Sequence, residues 1–183
     1  MIARRAAVVA LLTVASIVVH EFGHFLVYSL AGYRVVITLQ SVRPFGSVDP
    51  TLDHWAKLAG PALSFAAAGL CLAVAHRRQS FAWATASFTN ASLRLFPLAM
   101  DVGRAIKGGP AFSDEGDVTL ALTSASSGRL GLLALPIGLS LLLTVLASRE
   151  YHFKGQAALK AVAIYLLSLA VGVGVVIVDE LLK

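Results

Sequence analysis

His20-Glu21-Phe22-Gly23-His24 is the stretch whose residue types and spacing can do chemistry. Side chains four apart on a helix share a face, so the two imidazoles project side by side. Two imidazoles so placed are a ligand pair for one Zn²⁺, and the glutamate beside the first is positioned to take a proton from water at the metal. The pattern lies inside an apolar run from about residue 6 to 31. Ionisable groups are costly in such surroundings and mark a functional site by default.

The bulk composition sets the frame. Hydrophobic residues make up 57% of the 183-residue chain and the mean hydropathy is +0.79, too apolar for an ordinary soluble domain. Several runs are long enough to cross a bilayer. The net charge of +5 is small and spread among loops, so it reads as membrane-flanking charge and excludes a nucleic-acid footprint. Cys71 is the only cysteine, which excludes an intramolecular disulfide and a cysteine-based metal site. The basic start resembles a signal peptide, but its apolar run continues through the histidines. It is therefore expected to be retained as the first span.

The expected fold is an all-α polytopic membrane protein of about five transmembrane helices, at about 6–31, 55–75, 81–100, 130–147 and 157–178. A short surface hairpin or loop follows the first, where Val35-Val36-Ile37-Thr38 is β-branched and Pro44 and Gly46 punctuate the chain. Residues 6–104 form a three-helix core. Residues 105–129 form a polar loop with a surface helix over about 114–124, and two further spans fill 130–183, all within a single membrane domain. Ser113-Asp114-Glu115 reads as the helix N-cap with acids in the first turn. In the third span, Asn90, Arg94, Pro97 and Asp101 fall on one helical stripe that must face the bundle interior or water. Pro97 is expected to kink it just before Asp101.

A catalytic zinc takes three protein ligands and leaves a position open. The third is found by elimination. Val27 and Leu30 occupy the glycine and histidine places of the longer metal-binding pattern, and no glutamate occurs between Glu21 and Glu115. His76 and His152 fall in loops on the opposite face, and His54 in a loop on the near face. Asp101 ends a helix parallel to the one carrying His20 and His24, and is the expected ligand. Asp114, Glu115 and Asp117 lie on the same face as secondary candidates. Arg94 is expected to neutralise Asp101, with oxyanion stabilisation as its alternative role.

Together these residues resemble the site-2 protease family of intramembrane zinc metalloproteases. The His20–His24 motif stands in a first transmembrane helix. Gly60-Pro61-Ala62-Leu63-Ser64 is similar to the family's G-P-x-x-N element, with Ser64 in the asparagine place. Asn90 and Pro97 through Asp101 are similar to its N…P…D-G element, with Val102 in the glycine place. The resemblance covers about residues 6–104 and would make the chain a minimal member. It implies a zinc-dependent endopeptidase cleaving a membrane-protein substrate within or near a transmembrane segment. Zinc would sit on His20, His24 and Asp101, with Glu21 as proton carrier and Ser64, Asn90 and Arg94 holding substrate or supporting the site. A catalytically silent relative that binds membrane partners, or a small transporter using the polar stripe as a path, are the other classes.

Overall fold

The computed structural model describes residues 2–151 and 157–182, with the side chains of 2, 157 and 158 left aside. His152, weighed above as a ligand, lies outside the described residues. The order of elements is α1 (Ile2–Leu30), β1 (Val35–Ile37), β2 (Val42–Pro44), α2 (Pro50–Arg78), α3 (Phe81–Ser92), α4 (Leu95–Lys107), α5 (Asp114–Leu122), α6 (Ser126–Arg149) and α7 (Ala157–Leu181). The chain is an all-α membrane protein with a small hairpin after its first helix. Four helices are long and apolar enough to cross a membrane: Ala3–Leu30, Pro50–Arg78, Ser126–Arg149 and Leu159–Leu181.

The expected third span is not one helix. It is broken at Leu93 and Arg94 into α3 and α4. Pro97 accounts for the position of the break: its ring clashes with the carbonyl four residues earlier, which is that of Leu93. The disruption therefore falls several residues before the kink that the sequence predicts. Asn90, Arg94 and Asp101 consequently do not share one straight stripe.

α3 is the central helix. Every residue from Ala84 to Ser92 is buried, and it packs against α1, α2 and α6. Its polar side chains are accommodated largely by bonds to their own backbone: Thr85 Oγ1 donates to Phe81 O at 2.8 Å and Asn90 Nδ2 to Ala86 O at 2.9 Å. Ser16 and Thr89 hydroxyls meet at 2.8 Å across the α1–α3 interface. Such bonds let polar residues sit between helices in surroundings where exposing them to lipid is costly.

The ends of α1 and α2 are set locally. Gly32 adopts φ 85°, and Tyr33 N donates back to Tyr28 O at 3.0 Å, a glycine-terminated helix end. Asp49 caps α2 by accepting from Thr51 N and Leu52 N at 2.9 and 3.1 Å, with Pro50 at the first helical position. Between these ends β1 and β2 pair antiparallel, Val36 opposite Arg43. The hairpin turn is tied to the end of α7: Asp179 accepts from Leu39 N at 2.8 Å and Thr38 Oγ1 at 3.0 Å.

α5 was expected at the surface. Instead it packs against α2, α4 and α6, with Glu115, Gly116, Val118 and Thr119 buried. The chain reaches it by folding back along α4. After Gly108 (φ 72°) ends that helix, Arg104 Nη1 donates to Ala111 O at 2.8 Å and the amides of Phe112 and Ser113 reach Asp101, half-way back along α4.

Candidate metal centre

His20 and His24 sit one turn apart on α1 and both are buried. Their Nε2 atoms lie 3.1 Å from each other. The opposite nitrogen of each ring is held. His24 Nδ1 is 2.7 Å from Ala56 O, and His20 Nδ1 is 3.2 Å from Ser64 Oγ. A ring that donates through Nδ1 to a carbonyl presents the lone pair of Nε2. Both ring orientations are thus fixed by α2.

The face of α2 that does this is built from small residues. Ala56, Gly60 and Ser64 recur at intervals of four, are all buried, and allow the two helices to approach closely. A Cβ on Gly60 would overlap the His24 ring and stand 2.9 Å from His20 Cε1, and one on Gly23 would run into the backbone of Ala59 and Gly60. Pro61 cannot donate a hydrogen bond within the helix, which frees the carbonyl of Lys57, next to the Ala56 carbonyl that takes the His24 N–H.

The third group beside the imidazoles is Asp114. Its Oδ2 lies 3.1 Å from His20 Nε2 and 3.6 Å from His24 Nε2. Asp101, the ligand expected from elimination, is engaged elsewhere: it accepts from Phe112 N at 2.6 Å, Ser113 N at 3.0 Å and the Ser113 hydroxyl. Position along the chain suggests that Asp101 lies at the depth of the histidines. The fold-back of residues 108–113 breaks that link and puts Asp114 where Asp101 was expected.

Arg94 also has a different partner from the one expected. Standing in the break between α3 and α4, it pairs through Nε and Nη2 with Glu115, not with Asp101. Its Nη1 is 3.4 Å from His20 Nε2 and its Nη2 3.8 Å from Asp114 Oδ2. Each acid in the first turn of α5 thereby has a neighbour: His20, His24 and, farther off, Arg94 for Asp114, Arg94 for Glu115, and Lys57 Nζ at 3.1 Å for Asp117. The sequence signal for this was present. Asp114, Glu115 and Asp117 are three of only ten acidic residues, packed into four positions.

Glu21 lies on the same turn, and its carboxylate groups with the two imidazoles within 4.8 Å. It carries no hydrogen bond from the described residues. It lines a cleft of about 480 Å³ that also exposes His20, Asp114, Asn90 and Arg94, and whose far wall is apolar, from Val173 and Val176 of α7. Asn90, from α3, lines the cleft as well, with Oδ1 unpartnered among the described residues. Ser64 reaches the cleft too, but its hydroxyl faces His20, so it supports the ring. The remaining described histidines are remote: His76 at the other end of α2 pairs with Glu150 at 3.1 Å, and His54, expected in a loop, lies in the first turns of α2.

Comparison with protein-family models, with curated proteins and with solved structures returns no match.

Proposed function

We propose that the chain is a zinc-dependent endopeptidase of the bilayer, a multi-pass integral protein that cleaves a transmembrane protein substrate within or near its membrane segment. The observation that carries this is the triangle of His20 Nε2, His24 Nε2 and Asp114 Oδ2, with edges of 3.1, 3.1 and 3.6 Å. A tetrahedral zinc with bonds of about 2.0–2.1 Å spaces its ligand atoms about 3.3–3.4 Å apart. The three edges bracket that spacing, and the Nδ1 bond of His24 to the Ala56 carbonyl leaves its Nε2 lone pair for a metal. On this reading Asp114 replaces Asp101 in the ligand set.

Held by His20, His24 and Asp114, zinc would supply Lewis acidity toward a scissile carbonyl and lower the pKa of water near it. The chain's own residues do the rest. Glu21 accepts the water proton and returns it to the leaving amine. Gly60 keeps space beneath the rings. Arg94, anchored by Glu115, offers positive charge at the edge of the cleft where an oxyanion would develop. The apolar wall from α7 suits a membrane segment, which must unwind locally to present its carbonyl.

The test is zinc content of the detergent-purified chain, wild type against His24→Ala, together with cleavage of single-span membrane proteins in proteoliposomes. One zinc per chain in the wild type, lost with His24→Ala, is expected. Equal, substoichiometric zinc in both would remove the reading.

A further inference from the structure

The carboxylate of Asp101 sits at the N-terminus of α5, and we propose that it is the positioning residue that holds Asp114 at the imidazoles. This rests on the ligand set proposed above. Three donors converge on it: the amides of Phe112 and Ser113 and the Ser113 hydroxyl. The same hydroxyl oxygen then accepts from Gly116 N at 3.1 Å, capping the helix. Asp114 is the residue that immediately follows Ser113 and opens α5.

Two physical needs are met at once. Where the chain folds back onto α4 its amides need partners, and leaving a shielded one such as that of the buried Ser113 unpaired is costly. Asp101 takes two of them. A carboxylate is also favoured where a helix begins, since the free amides and the dipole there attract negative charge. The fit is tight: Gly116 stands where any Cβ would overlap the Asp101 carboxylate. Asp101 is fully buried, so its bonds to the start of α5 are shielded from competing water. Without it the turn before Asp114 loses its anchor to α4. Lys57 and Arg94 would still hold the other two acids of the same turn, but neither fixes residues 112 and 113.

A ligand and a positioning residue are separable by experiment. Cobalt(II) substituted into the full chain reports its ligands in its visible spectrum, and cobalt titration reports affinity. Amide exchange at residues 112 and 113 of the metal-free protein reports the anchor without any metal. Asp101→Asn is expected to weaken cobalt binding about 10–100-fold, to reproduce the wild-type spectrum at saturation, and to speed exchange at 112 and 113. Asp114→Asn is expected to change the spectrum and leave that exchange slow. Ser113→Ala removes one of the three bonds together with the Gly116 cap, and is expected to shift affinity in the same direction with the spectrum unchanged.

A spectrum altered by Asp101→Asn at saturation would make Asp101 a ligand and overturn the proposal. Unchanged affinity in both Asp101→Asn and Ser113→Ala would do so as well. If the wild type bound no cobalt, the metal reading would fall, and exchange at 112 and 113 alone would decide whether Asp101 anchors the turn.

Discussion

Gly60 lies against the imidazole of His24 with no room for a side chain between them. The contact joins the fold to the chemistry, since the approach of α2 that brings Ala56 O and Ser64 Oγ to the rings depends on it. Gly60→Ala must push the ring aside or separate the helices. Overpacking of this kind costs about 1–3 kcal/mol. The expected outcome is a lowered melting temperature together with loss of zinc. Gly69, on the same helix with open space around its Cβ position, provides the control: Gly69→Ala is expected to retain metal and stability.

Glu21 is half-buried, free of hydrogen bonds from the described residues, and groups within 4.8 Å with the two imidazoles of the proposed metal centre. Glu21→Gln keeps shape and removes the basic oxygen. Turnover is expected to fall by about 10²-fold or more, while zinc stoichiometry stays at the wild-type value. Metal analysis alongside initial rates checks both halves, and loss of zinc would turn Glu21 from base into ligand.

Zinc that binds only the folded chain stabilises it by mass action, about 4 kcal/mol when free metal is a thousandfold above the dissociation constant. Stripping the protein with a chelator is expected to lower its melting temperature, and added zinc to restore it. His24→Ala and Asp114→Asn should melt at temperatures that no longer respond to zinc. Scanning calorimetry in micelles over a zinc series checks this.

The parts that sequence reading reached are those fixed by local geometry. The His20–His24 spacing places two rings on one face of a helix whatever surrounds it. The ends of α1 follow from Gly32, and the hairpin from β-branched residues beside Pro44 and Gly46. The first helix and the two C-terminal ones follow from unbroken apolar length. What was not legible is tertiary. Asp114 meets the imidazoles only because residues 108–113 return along α4, and nothing in their order states how far back they go. Pro97 stands near Asp101 in the sequence, whereas its ring acts on the carbonyl of Leu93, so the break falls earlier than a kink just before Asp101. Arg94 was matched to Asp101 along a stripe that the break at Leu93 and Arg94 removes; its partner Glu115 is 21 residues on.

Arg94 and Glu115 allow a last prediction. Their side chains are only 12% and 5% exposed, so removing one partner strands a charge away from water. Breaking such a pair costs about 3–5 kcal/mol, whereas replacing both partners with apolar residues is often neutral or better. Arg94→Met and Glu115→Met are each expected to destabilise strongly, and the double variant to regain most of the loss in denaturation measurements. Activity should not follow stability. Arg94 faces the cleft beside His20, so the double variant is expected to bind zinc and fold, yet turn over substrate at least about tenfold more slowly because charge at the oxyanion position is gone. Recovery of turnover together with stability would mean that the pair serves packing alone, and that the oxyanion is stabilised from the metal and backbone without the guanidinium.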